Sequence, residues 1–200
     1  MQAEASALAT LPADAEESHL PGDFAIWIFI YAELLVFGVF FLAYGFTRAG
    51  NVELFNEHQQ FLDRNTGAVN TLVLITSSFF VVRAVEAIRR GANALCTRWL
   101  GLALLSGAVF VVLKMMEFAD KHEQGITLST NTFYMFYLSL TFFHFMHVLM
   151  GMVILAVVAV KAQRGDYSPT NHTGVETGAS YWHMVDLVWI VLFPLVYVMH

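Results

Sequence analysis

Residues 132–160 contain no Asp, Glu, Lys or Arg. A helix built from them has no charged face to turn toward water. About 20 apolar residues cross a bilayer, and about 17 is the lower limit. This stretch is long enough to cross and also to tilt or protrude. Four further apolar runs accompany it, so the expected spans are Phe24–Phe46, Ala68–Ile88, Trp99–Met116, Thr132–Val160 and Ala179–Met199. In hydrocarbon a chain must satisfy its own backbone hydrogen bonds, and runs of this length do so as helices. The expected fold class is therefore all-α, a polytopic membrane bundle of five transmembrane helices. No internal repeat is visible, and no second domain fits.

The charge distribution sharpens this reading. Charged residues make up 13% of the chain, against about 25% in soluble proteins. They crowd into the first 23 residues and a few short stretches. Residues 1–23 hold Glu4, Asp14, Glu16, Glu17 and Asp23 with no Lys or Arg. They are expected to form an acidic, disordered tail rather than a signal peptide, which needs a basic start and an apolar core. Residues 24–200 form the membrane domain. The formal net charge of −6 and the lack of a basic patch argue against nucleic acid as a partner; lipid is the expected surrounding. The single cysteine, Cys96, excludes an intrachain disulfide and a thiol-rich metal cluster. It is placed in a loop beside Arg98, as a small filler.

Orientation follows from Lys and Arg in the loops. Arg89, Arg90 and Arg98, with Arg83 just inside the helix, share a side with Lys161 and Arg164, six in all. Arg48, Arg64, Lys114 and Lys121 make four on the other side. This predicts a cytoplasmic N-terminus and an external C-terminus. Asp23 is expected to cap the first helix. Asn70 with Ser77, Thr71 with Ser78, and Ala103 with Gly107 mark helix contacts, because small and weakly polar residues let membrane helices approach closely. Pro194 lies within the fifth span, where neighbours must satisfy the freed carbonyl.

Ionisable side chains inside hydrocarbon cost a few kcal/mol unless partnered, so each asks for an explanation. Glu33 lies about 14 Å from the inner end of the first span, and His147 about 15 Å from the same face, by helical rise. The two are expected to pair, as a protonatable site or simply as a link holding two helices in register. His144 sits about one turn farther out on nearly the same face. A shared haem between these histidines and His183 is disfavoured, because His147 lies about 9 Å and His144 about 13 Å too far out. No Glu-x-x-His or His-Glu-x-x-His pattern supports a metal. His183 and Asp186, three apart, suggest a local hydrogen bond. Glu117 and Lys121, four apart, suggest an ion pair at a solvated helix end, with Lys114 snorkelling at the end of the third span.

One segment carries a resemblance. Tyr181-Trp182-His183-Met184-Val185-Asp186-Leu187-Val188-Trp189 resembles the Tyr-Trp-His-Phe-Val-Asp-Val-Val-Trp segment of subunit III of the haem-copper oxidases. Glu33 with Trp27, Asn70-Thr71 with Ser77-Ser78, Glu117-Phe118, and His144-Phe145-Met146-His147-Val148 with Gly151 match the family in order. The resemblance covers residues 21–200. Mitochondrial-type members have seven helices, and this chain is similar to the last five, so the family's lipid cleft is expected to be missing. Phe145 stands where the family keeps a glycine. With the surrounding Phe-rich run, this resembles the short branch associated with bacterial nitric oxide reductase, often called NorE. Five-helix subunits III of quinol or cytochrome c oxidases are the alternative.

The resemblance implies a non-catalytic subunit of the bacterial inner membrane. Its partner would be the catalytic subunit of a nitric oxide reductase or haem-copper oxidase, with haem and metal in that partner and no cofactor bound here. It also implies carbodiimide reactivity for Glu33. A haem-binding membrane enzyme and a small transporter are the competing classes, and the chain shows neither a ligand set at one depth nor an inverted repeat.

Overall fold

The computed structural model describes residues 21–199. The expected acidic tail lies outside the described residues, except for its last three. Among the described residues the structure is helical, and five helices are long and apolar enough to cross a membrane.

Helix α1 is Phe24–Ala49, opened by Asp23, whose carboxylate accepts the Ala25 N–H at 3.1 Å. Helix α2, Val52–Gln59, is a short segment in the first loop that hydropathy does not show. It buries Phe55 completely, and Gln59 donates to the Val196 carbonyl at 2.8 Å. Helix α3, Arg64–Arg89, is capped by Asp63, which accepts from the N–H groups of Asn65 and Thr66. Helix α4 is Asn93–Glu123. Helix α5, Thr132–Arg164, begins at Asn131, which caps Tyr134, and ends at Gly165, whose φ of 81° is the left-handed conformation that favours glycine. Helix α6 is Thr173–Phe193 and passes into a π-turn at Pro194–Val198. Proline has no N–H and its ring crowds the preceding turn, so the helix widens there. The Met199 N–H then reaches the Pro194 carbonyl at 2.9 Å.

Two expectations need correcting. The third span is longer than the expected Trp99–Met116: α4 starts at Asn93 and continues through Glu123. Hydropathy falls after Met116, but Glu117 and Lys121 there are buried against protein, while Asp120, His122 and Glu123 are exposed. Cys96 is likewise not in a loop. It lies in the first turns of α4, fully buried, as small-residue packing allows.

Helices α3, α4, α5 and α6 close a ring of neighbours, each packed along the next and α6 against α3. Helix α6 is the most buried and α1 the least, α1 resting mainly on α6. The small-residue positions lie at these contacts. Ser77 donates to the Ala103 carbonyl at 2.9 Å across α3 and α4. Trp182 of α6 lies against two glycines: a Cβ at Gly107 would sit 3.1 Å from its ring, and one at Gly151 would sit 2.9 Å away.

The α3–α4 loop, the α5–α6 loop and the entry to α1 share one end of the bundle. There Arg89 pairs with Glu176 at 2.7 Å, and Glu176 also accepts the Gly22 N–H at 3.1 Å.

Candidate functional site

Glu33 of α1 and His147 of α5 meet. His147 Nε2 lies 3.0 Å from Glu33 Oε2, and His147 Nδ1 lies 2.8 Å from the Phe143 carbonyl. A carbonyl can only accept, so Nδ1 carries the hydrogen, and Nε2 shares one proton with the carboxyl group. The pair is therefore either a carboxylic acid donating to imidazole or a carboxylate facing imidazolium. Phe37 and Phe143 flank the imidazole at 5.3 and 4.6 Å. Antiparallel helices brought two residues of equal depth together, and the aromatic walls limit water around them.

His144 faces elsewhere. Three residues along a helix rotate a side chain by about 60° from its neighbour, and here that directs His144 into the core between α4 and α6. It stacks on Trp189 at 5.2 Å and meets the edge of Phe110 at 5.9 Å. It is fully buried, and among the described residues neither ring nitrogen has a hydrogen-bond partner. Asn70, also fully buried, has neither of its amide atoms bonded.

Glu117 is the centre of a buried cluster, not part of a solvated end. Its Oε1 accepts from Tyr137 at 2.5 Å and from Tyr197 at 2.6 Å, and its Oε2 accepts from Lys114 Nζ at 3.1 Å. Lys114 Nζ also donates to Tyr197 Oη at 2.6 Å. Lys114 does not snorkel: its side chain is 0% exposed, and four aromatic rings lie within 5.1 to 5.5 Å of the ammonium. A cation over aromatic faces is attracted by their quadrupoles. The expected Glu117–Lys121 pair is absent, because Lys121 turns to the Phe61 carbonyl at 2.9 Å. The three-residue Lys114–Glu117 spacing was the only hint of this cluster in the sequence. The tyrosines come from α5 and the π-turn after α6.

His183 and Asp186 are 3.9 Å apart, too far for a hydrogen bond. His183 Nδ1 instead meets Ser78 Oγ of α3 at 2.6 Å. Two turns farther along α6, the Trp189 indole donates to Thr71 at 3.0 Å. Thr71 and Ser78 of α3 thus face α6, and Ser77 faces α4. Among the described residues no three His, Cys, Asp or Glu side chains converge as a metal would require.

A helical membrane subunit whose intramembrane charges meet partners on neighbouring helices is the class defined here. Residues 21–200 match the family described as cytochrome c oxidase subunit III, and the chain belongs to that family. It is 36% identical to a cytochrome c oxidase subunit 3 of Synechocystis, covering 94% of this chain and 85% of that protein. It is 31% identical to a quinol oxidase subunit 3 of Bacillus subtilis, over 86% of this chain and 84% of that protein. A probable cytochrome c oxidase subunit 3 of Rickettsia bellii is 33% identical, and there the match spans only 66% of the longer relative. These relatives bear oxidase names, whereas the sequence reading favours the nitric oxide reductase branch.

Proposed function

We propose that this chain is a non-catalytic subunit of the bacterial inner membrane. It packs against the catalytic subunit of a haem-copper oxidase, and that partner carries the haem and metal. The carrying observation is the use made of the buried charges. Glu33 with His147, and Lys114 with Glu117, Tyr137 and Tyr197, are spent joining α1 to α5 and α4 to α5 and α6. Such links rigidify a bundle against which another membrane protein can pack. The names of the relatives, cytochrome c and quinol oxidase subunits 3, support an oxidase partner.

A second reading rests on Phe145. It is buried, 5.8 Å from Phe118 of α4 and 6.5 Å from Phe142. A ring between α4 and α5, where the family usually keeps a glycine, favours a partner of the nitric oxide reductase kind.

Deleting the gene and following turnover in membranes tests both readings. The expected outcome is a near-normal initial rate with normal haem content, followed by lower yield or faster decay. Loss of oxygen turnover supports the oxidase partner, and loss of nitric oxide turnover supports the reductase partner. Abolition of the first turnover in a fully assembled, haem-loaded partner would overturn the accessory role.

A further inference from the structure

The outward faces of this bundle are chemically unequal. On α4, Leu105, Val109 and Val112 face out, and on α5, Met146, Met150 and Val153 do so. These are hydrocarbon surfaces suited to lipid. Thr76 on α3 is exposed but donates to the carbonyl of Leu72 in its own helix, which also suits lipid.

The exposed strip of α6 differs. His183 lies on one face with Leu187 and Ile190, at four- and seven-residue spacing, and those two are 50% and 44% exposed. The His183 side chain is 38% exposed. Its Nδ1 is occupied by Ser78, while Nε2 bonds to none of the described residues. Asp186, on the same side, has His183 Nδ1 at 3.9 Å and only 9% side-chain exposure. The depth matters. Thr177 Oγ1 accepts the Asp23 N–H at the mouth of α1, and His183 is six residues farther in, about 9 Å by helical rise. Lipid tails at that depth offer no hydrogen bond, and a polar group facing them is costly. Beside His183 a groove of about 340 Å³ runs between α6 and α1, walled by Trp27, Ile30, Leu34 and Leu187.

We infer that this strip of α6, with the groove beside α1, seats a transmembrane helix of the catalytic subunit, which presents a hydrogen-bonding group to His183 Nε2. The inference rests on the proposed accessory role and specifies its docking surface. A polar atom at membrane depth with one nitrogen already occupied by its own bundle needs a protein partner for the other. The groove supplies the apolar contact that such a helix also needs. On the other flank of α1, Glu33 already has a partner within the bundle, since its Oε2 meets His147.

Photo-crosslinking in native membranes tests the surface. A benzoylphenylalanine in place of Leu187 or Ile190 is expected to link to the haem-bearing subunit, and one in place of Leu105 or Met150 is not. Replacement of His183 by Phe should lower co-purification after detergent extraction at least severalfold, and His183→Gln, whose amide can donate where Nε2 stood, should restore most of it. If His183→Phe fails to fold, the crosslinks alone decide. Adducts with the catalytic subunit from Leu105 or Met150 but not from α6 overturn the surface and leave the accessory role standing. Adducts from Ile190 to a second copy of this chain, or to lipid only, also overturn it. No adduct from any position, with no co-purification, overturns the accessory role as well.

Discussion

Glu117 is held by three donors, so its removal and that of Lys114 are not equivalent. Taking the carboxylate away leaves a buried ammonium without its counter-charge, and breaking a buried pair from one side costs about 3–5 kcal/mol. Taking the ammonium away leaves a carboxylate that still accepts from Tyr137 and Tyr197. Glu117→Gln is therefore expected to destabilise more than Lys114→Met, and the double variant should recover part of the loss. Thermal unfolding of the four proteins in nanodiscs measures the cycle, and purely additive losses would contradict a coupled cluster. Outside the membrane, hydrogen bonds from Thr66, first its hydroxyl and then its backbone N–H, hold the Asp63 carboxyl below its ordinary value. A lowered folded-state value means the contribution is present above the unfolded carboxylate range and is lost as pH falls through the folded value. Asp63→Ala should cost about 1 kcal/mol near neutrality. That difference should shrink below about pH 4, as read from unfolding curves of the two proteins across pH.

Within the elements, glycine positions divide by what lies opposite them. A Cβ at Gly151 would approach the fully buried Trp182 ring to 2.9 Å, whereas one at Gly101 would meet nothing within 4 Å. Trp182 is confined between α4 and α5 and has no free direction in which to yield. Gly151→Ala should therefore destabilise by about 1–3 kcal/mol as an overpacked contact. Gly101→Ala should be neutral or slightly stabilising, since alanine favours a helix more than glycine does. Comparing their melting temperatures checks this, and equal effects would mean α5 and α6 can separate without penalty. The π-turn at Pro194 belongs to the same scale, because it carries Tyr197 into the Glu117 cluster.

For the whole molecule, the basic loops meet at one end, where Arg89, Glu176 and the Gly22 N–H interlock. Positively charged loops are retained in the cytoplasm. Reporter fusions after Arg164 should therefore read as cytoplasmic and fusions after His200 as external. The reverse at both sites would invert the topology. The lightly packed α1 is held to the ring by this end, by contact with α6 and by the Glu33–His147 bond at mid-depth, so loss of that bond should loosen α1 before the ring of α3 to α6.

Runs of apolar residues are a local property, and they alone placed the five spans. Capping is equally local, which is why Asp23 could be read directly. The Glu33–His147 meeting was also legible, because helical rise converts residue number into depth and both residues count from the same face. Rotation about the helix axes is not encoded that way. It decided that His144 would stack on Trp189 rather than join Glu33, and that His183 would find Ser78, distant in sequence, instead of Asp186 one turn away. The sequence made Lys114 and Glu117 look like a helix end meeting water, since the apolar run stops there. In the tertiary structure, tyrosines from α5 and the π-turn surround them, and those tyrosines supply the hydrogen bonds that let the charges remain inside.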